Sequence, residues 1–150
     1  MTEPALPSPA LLFTASTVLI GMAFFLIAPS WRSIRKALDG LTPAKRKSAF
    51  KVRKVKDKKR KDRALALNFL LLGCYCLGVS ITFNLLALTG IAATMLELHL
   101  GPWQAENYNW GIWCVFIGIA FWVIGIICIG YVRIWEATRF KLGESSLLDD

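Results

Sequence analysis

Three long stretches of the sequence lack charge. Residues 4–31, 64–96 and 107–132 contain no Asp, Glu, Lys, Arg or His. Each stretch is longer than the ~20 mostly apolar residues that a bilayer-spanning helix needs. We therefore expect an all-α integral membrane protein with three transmembrane helices. The absence of ionisable groups within the spans argues against a proton relay, a voltage sensor or a charged ion path, and so against a pump or a secondary transporter.

The residues of common catalytic and metal sites are also scarce. The chain has a single histidine, His99, and we find no Ser/His/Asp catalytic set. No glycine-rich phosphate loop follows a strand, and Glu97 and His99 point to different faces of a helix. The four cysteines all lie in the predicted spans, where we interpret them as small packing residues: Cys74, Cys76, Cys114 and Cys128. We therefore predict no enzyme activity, no cofactor, no metal and no small-molecule substrate.

Basic residues are absent from the N-terminus and concentrated in one connection. No Lys or Arg precedes the first apolar stretch, whereas a cleaved signal peptide begins with a basic region. Of the 18 Lys and Arg residues, 15 lie in the connection 30–63, and the second connection, 90–108, has none. Since short basic loops stay on the cytoplasmic side, we expect the N-terminus outside. The basic connection and the tail 132–150 would lie in the cytoplasm or the equivalent compartment of an organelle.

We predict a single membrane domain. Helix signals place its three spans at about 9–28, 64–89 and 109–131. Pro29 ends or kinks the first span, and Ser30 can cap a short amphipathic helix over 31–41. We predict that this helix lies at the membrane interface with Trp31 as its anchor. Four aromatic residues are expected as interfacial anchors in all: Trp31, Trp103, Trp110 and Trp135. The second apolar stretch is too long for one perpendicular crossing, so it tilts or breaks, with Thr89-Gly90 as a plausible break.

A basic helix is predicted between the first two spans. Thr42 is a good N-cap and Pro43 a good first helical residue, and no Gly or Pro follows before Arg63. We expect this cytoplasmic helix to be continuous with the second span. Its cations can bind anionic lipid of the cytoplasmic leaflet, an acidic partner protein, or ribosomal or other RNA. They are Lys45, Arg46, Lys47, Lys51, Arg53, Lys54, Lys56, Lys58, Lys59, Arg60, Lys61 and Arg63.

Small residues recur every seven positions in the spans. The third span has glycines at 111, 118 and 125, and similar series occur at Thr14, Gly21 and Ala28 and at Gly73, Ser80 and Ala87. Helices in lipid associate through close backbone approach, which small residues permit. Asn68 and Asn84 are the strongest polar groups in the spans and are expected to bond a neighbouring helix. The predicted packing residues are Gly21, Gly73, Ser80, Asn84, Gly111, Gly118 and Gly125.

The topology resembles that of membrane-protein insertases of the YidC kind, in their minimal three-span versions. Those proteins have an outside N-terminus, a basic cytoplasmic helical hairpin between the first two spans, and a polar groove in the membrane. The resemblance implies that residues 32–63 match the hairpin. It also implies that Asn68, Ser80, Thr82 and Asn84 line a groove.

These features favour a non-enzymatic accessory, structural or assembly subunit of a larger membrane protein complex. Such a subunit packs against other integral membrane subunits through small-residue helix faces and contacts anionic lipid or an acidic partner through its polybasic helix. One alternative is a membrane-protein insertase or chaperone of the YidC-like kind. Another is a homo-oligomeric pore built on the face of Gly111, Gly118 and Gly125.

Overall fold

Four helices make up the secondary structure of the described residues. A computed structural model describes residues 8–39, 41–51, 58–96 and 103–141. The helices are α1 (Pro9–Leu38), α2 (Pro43–Ala49), α3 (Lys58–Leu96) and α4 (Trp103–Lys141). Three of them are long and apolar enough to cross a membrane, over Pro9–Leu38, Lys58–Thr94 and Tyr108–Phe140. The all-helical class and the three membrane helices predicted from the sequence are therefore confirmed for the described residues.

Helix α1 begins at an N-cap and continues past its proline. The Ser8 hydroxyl accepts from the Leu11 backbone N–H at 3.3 Å, and Pro9 takes the first helical position, where it has no donor to lose. The separate interfacial helix expected after Pro29 does not form, because α1 runs without interruption to Leu38. Ser30 does not cap a new helix: its hydroxyl donates to the Leu26 carbonyl one turn back, at 2.9 Å.

The predicted basic helix is divided in two. Helix α2 begins at Pro43, and the Thr42 carbonyl accepts from the Arg46 N–H at 2.9 Å, as the N-cap prediction requires. The expectation of one helix from α2 to the second span is wrong, because Phe50 and Lys51 are not helical. Closely spaced like charges weaken a helix in such a segment. Lys58 to Arg63 lie in α3, the helix that also contains the second apolar stretch.

Two further differences concern the membrane helices. No break occurs at Thr89-Gly90, because α3 continues through both residues to Leu96. Helix α1 extends beyond its predicted span, to Leu38. Helix α4 ends at Lys141, the residue to which the sequence predicts that the third helix continues. The sequence also predicts a helix stop at Gly40, a turn at Gly101-Pro102 and a helix stop at Gly143. These residues lie outside the described part of the chain.

The chain forms two compact units. The first combines Met1–Phe24 with Gly78–Trp122, and the second combines Phe25–Leu77 with Val123–Asp150. The first unit has a core of buried residues from three helices: Leu12, Ala87, Ile91, Cys114 and Val115. The second unit buries small and aliphatic side chains from the same three helices, among them Ile34, Ala37, Ala66, Leu70 and Val132.

Candidate functional site

In the first unit, α3 and α4 meet at Gly118. The Ser80 hydroxyl donates a hydrogen bond of 2.7 Å to the Gly118 carbonyl. The Asn84 amide lies one turn further along α3, where its Nδ2 donates to the Ser80 carbonyl at 2.9 Å. This bond lies within α3, so the expectation that Asn84 hydrogen-bonds to a neighbouring helix is wrong. A Cβ atom at Gly118 would lie 3.1 Å from Asn84 Cγ, so a side chain at this position would require the buried Asn84 amide to shift. Ser80 and Asn84 are both fully buried, and the contact is internal to the chain.

The same helix pair also approaches closely at Gly111. A Cβ atom there would lie 3.4 Å from Ile91 Cγ1 and 3.7 Å from the Ala87 carbonyl oxygen. These are ordinary to tight van der Waals distances, and Gly111 itself is buried. In the first unit, Gly111 and Gly118 therefore both face α3 of their own chain.

In the second unit, α3 and α4 also meet closely. A Cβ atom at Gly73 would lie 3.1 Å from the Gly125 carbonyl oxygen and 2.7 Å from Ile129 Cγ1. A Cβ atom at Gly125 would lie 3.1 Å from the Gly73 carbonyl oxygen and 2.7 Å from Leu77 Cγ. The two backbones thus touch across paired glycines, which is the packing that small residues permit in lipid.

The small-residue series in the first span lies on an exposed face of α1, unlike the glycines of α3 and α4 described above. Thr14, Gly21 and Ala28 are all exposed, and a Cβ atom at Gly21 would meet no atom of the described structure within 4 Å. The side chains that α1 buries follow another phase: Leu12, Ser16, Ala23, Ser30, Ile34 and Ala37. The seven-residue spacing thus coincides with internal contacts in α3 and α4 but not in α1.

The basic residues lie on the surface of the second unit. Among the twelve cations of the predicted basic helix, those with exposed side chains in the described residues are Lys45, Arg46, Lys47, Lys51, Lys58, Lys59, Arg60 and Lys61. Arg63 is half-buried and donates to the Ala37 carbonyl at 3.1 Å, in the last turn of α1. A cation at this position stabilises the carbonyl end of a helix. Arg53, Lys54 and Lys56 lie outside the described residues.

Two polar contacts in the second unit were not anticipated from the sequence. Arg139 on α4 forms an ion pair with Asp62 on α3, and its guanidinium also lies 5.5 Å from the Trp135 ring centroid. Arg133 donates to the Ser33 hydroxyl of α1 at 3.2 Å and pairs with Glu136 at 3.4 Å. The sequence contains one indication of the Arg139–Asp62 ion pair: Asp62 is one of only three acidic residues in the basic connection.

The predicted interfacial aromatic residues are largely accessible. Trp31 and Trp110 are each 54% exposed, and Trp135 is half-buried beneath Arg139. The side chain of Trp103 lies outside the described residues. The rings of Tyr131 and Trp135 are tilted relative to each other, with centroids 6.1 Å apart. Tyr131 and Trp135 thus lie beside the charged end of α4, where amphipathic rings are common at a membrane boundary.

The four polar residues attributed to an insertase groove do not share an open face. Ser80 and Asn84 are buried against α4, whereas Thr82 is exposed and donates to the Gly78 carbonyl of its own helix at 3.1 Å. Asn68 donates to the Phe50 carbonyl at 3.0 Å. The four cysteines are buried free thiols, and no group of three potential metal ligands occurs within the described ranges.

The sequence matches no protein-family model, no curated protein and no solved structure. The arrangement of side chains described above is therefore the basis for assigning a function.

Proposed function

We propose that this protein is a non-enzymatic accessory, structural or assembly subunit of a larger membrane protein complex. In this proposal its helices pack against those of partner subunits, and its basic segment contacts an anionic surface. The observation that carries the proposal is the separation of two kinds of residue. The polar groups Ser80 and Asn84 serve contacts within the chain, while the cations of α2 and of the start of α3 are exposed.

The exposed face of α1 is the surface that we assign to a partner helix. Thr14, Gly21 and Ala28 are exposed at seven-residue intervals, and Gly21 has open space around it. A helix of another subunit can approach the α1 backbone closely along such a face. By contrast, Gly111, Gly118 and Gly125 contact α3 of the same chain, which gives less support to a pore built on that face.

Purification from native membranes in a mild detergent tests the proposal. We expect the wild-type protein to migrate as a larger complex of fixed stoichiometry, whose other subunits mass spectrometry identifies. Gly21→Leu should abolish most of the co-migration because the leucine side chain fills the space that a partner helix would occupy.

Gly78→Leu is the matched control because Gly78 also has no atom of the described structure within 4 Å of an added Cβ. This variant should retain the complex. A wild-type protein that migrates alone would contradict the subunit proposal. Equal loss in the two variants would contradict the assignment of the partner face to α1.

A further inference from the structure

The two ends of the segment around α2 are both attached to the start of α3. At one end, Arg63 donates to the Ala37 carbonyl at 3.1 Å, next to the last residue of α1. At the other end, Asn68 Nδ2 donates to the Phe50 carbonyl at 3.0 Å, directly after α2. Asn68 also holds the Ala64 carbonyl at 2.8 Å, so its amide is fixed in orientation. All these residues belong to the second unit.

The position of Asn68 along α3 defines where Phe50 lies relative to the apolar stretch. Arg63 is the last charged residue before the uncharged stretch 64–96. Asn68 comes five residues later, about 7 Å further along the helix axis at 1.5 Å per residue. The Phe50 carbonyl is therefore level with the beginning of the apolar stretch, and Phe50 is itself half-buried.

The cations of α2 lie close to the beginning of the apolar stretch of α3. Helix α2 has 7 residues and ends at Ala49, so its whole length is about 10 Å. Lys45, Arg46 and Lys47 are exposed on it, and Lys51 is exposed directly after Phe50. Since both ends of the segment are held at the start of α3, every residue of α2 lies within about one length of this short helix from the Phe50 contact.

We propose that the Asn68–Phe50 hydrogen bond holds α2 at the membrane surface so that Lys45, Arg46, Lys47 and Lys51 bind the phosphates of anionic phospholipid headgroups. The inference rests on the proposed function and names the anionic surface that the basic segment contacts. Headgroup phosphates lie just outside the hydrocarbon, where these cations are placed, and anionic lipid attracts each nearby Lys or Arg.

The geometry favours lipid over RNA. Proteins that bind single-stranded nucleic acid combine cations with aromatic rings on which bases stack. Phe50 is the one aromatic residue between Trp31 and Arg63, and it is half-buried next to the apolar stretch. The segment thus offers phosphate-binding cations without an open stacking platform.

Limited trypsin digestion of the full chain in lipid nanodiscs tests the inference, because both faces of a nanodisc are accessible. The discs contain phosphatidylcholine with or without phosphatidylserine, and mass spectrometry follows cleavage after Lys45, Arg46, Lys47 and Lys51. Phosphatidylserine should slow cleavage about tenfold, and high salt should restore the rate because salt screens exposed charges. Equal rates in the two lipids would overturn the proposal.

Two variants separate the hydrogen bond from the charge. Asn68→Leu should lose most of the protection by phosphatidylserine although every cation remains, whereas Thr82→Val, which removes a hydroxyl bonded within α3, should keep it. Unchanged protection in Asn68→Leu would overturn the role of the hydrogen bond. Circular dichroism of each variant establishes that α3 is retained.

The experiment is independent of partner subunits because the discs contain this chain and lipid alone. A failure here leaves the subunit proposal standing, and a protein that migrates alone from native membranes leaves the lipid result standing. Single-stranded RNA added to phosphatidylcholine discs provides the remaining comparison. Protection by RNA equal to that by phosphatidylserine would overturn lipid as the preferred partner.

Discussion

The Ser80 hydroxyl reaches the Gly118 carbonyl across the α3–α4 contact at 2.7 Å, and both residues are buried. The bond forms because position 118 has no side chain to hold the two backbones apart. Asn84, one turn further along α3, covers the same glycine and bonds to Ser80. In hydrocarbon, an intramembrane polar group needs such a partner. The Ser80 hydroxyl and the Asn84 Nδ2 have theirs in the same chain, whereas the Asn84 Oδ1 is buried without a partner among the described residues.

Gly118→Ala should destabilise the protein. The added Cβ would lie 3.1 Å from Asn84 Cγ and closer still to Asn84 Nδ2, so the buried amide or the helix must shift. Overpacking of this kind costs about 1–3 kcal/mol. Equilibrium unfolding by sodium dodecyl sulfate in mixed micelles measures the change. Gly78→Ala is the control, because an added Cβ at Gly78 would meet no atom of the described structure within 4 Å. Equal stability of the two variants would contradict the close contact at Gly118.

Gly125→Ala should cost a similar amount, and part of the cost should depend on Leu77. The added Cβ would lie 2.7 Å from Leu77 Cγ and 3.1 Å from the Gly73 carbonyl oxygen. Leu77→Ala removes the first obstacle but not the second. We expect Leu77→Ala to cost about 2–5 kcal/mol alone and Gly125→Ala to cost at least about 1 kcal/mol less in its presence. A double-mutant cycle of unfolding free energies measures this coupling. Strict additivity would show that the two residues are not in contact.

The Arg139–Asp62 ion pair should contribute more than the Arg133–Glu136 pair. The side chains of Arg139 and Asp62 are each 15% exposed, whereas that of Arg133 is 45% exposed. Arg139→Gln leaves Asp62 largely buried without its cation and should cost about 1–3 kcal/mol. Arg133→Gln should cost under about 1 kcal/mol, as exposed pairs do. Thermal unfolding in detergent compares the two variants. A larger loss for Arg133→Gln would contradict the difference in burial.

The two termini should lie on opposite sides of the membrane, with the N-terminus outside. This expectation follows from three membrane-spanning helices and from the basic connection after the first. Protease protection of epitope tags at each end of the chain in sealed vesicles measures it. Replacing the Lys and Arg residues of 45–61 with Gln should give a mixture of orientations, since 11 of the 15 positive charges that retain the connection are removed. A variant that keeps the wild-type orientation would show that other residues determine it.

Local sequence signals located several features correctly. The charge-free stretches predicted three membrane helices, and Thr42 with Pro43 predicted the start of α2. Glycines spaced by seven residues in the third span predicted a packed face, and Gly118 and Gly125 each contact α3. The same spacing in the first span lies on the exposed face, because spacing carries no information on which helix, if any, lies opposite.

The sequence by itself determined the helical class and the number of membrane spans, and it concentrated the positive charge in one connection. These properties follow from apolar length and from composition, which are local. Only the tertiary structure decided which small residues touch and that Asn68 bonds to Phe50 beside α2. The physical reason is that these outcomes depend on the distance between residues far apart in the chain. An Asn amide in a span signals a need for a hydrogen bond but does not say which carbonyl will satisfy it.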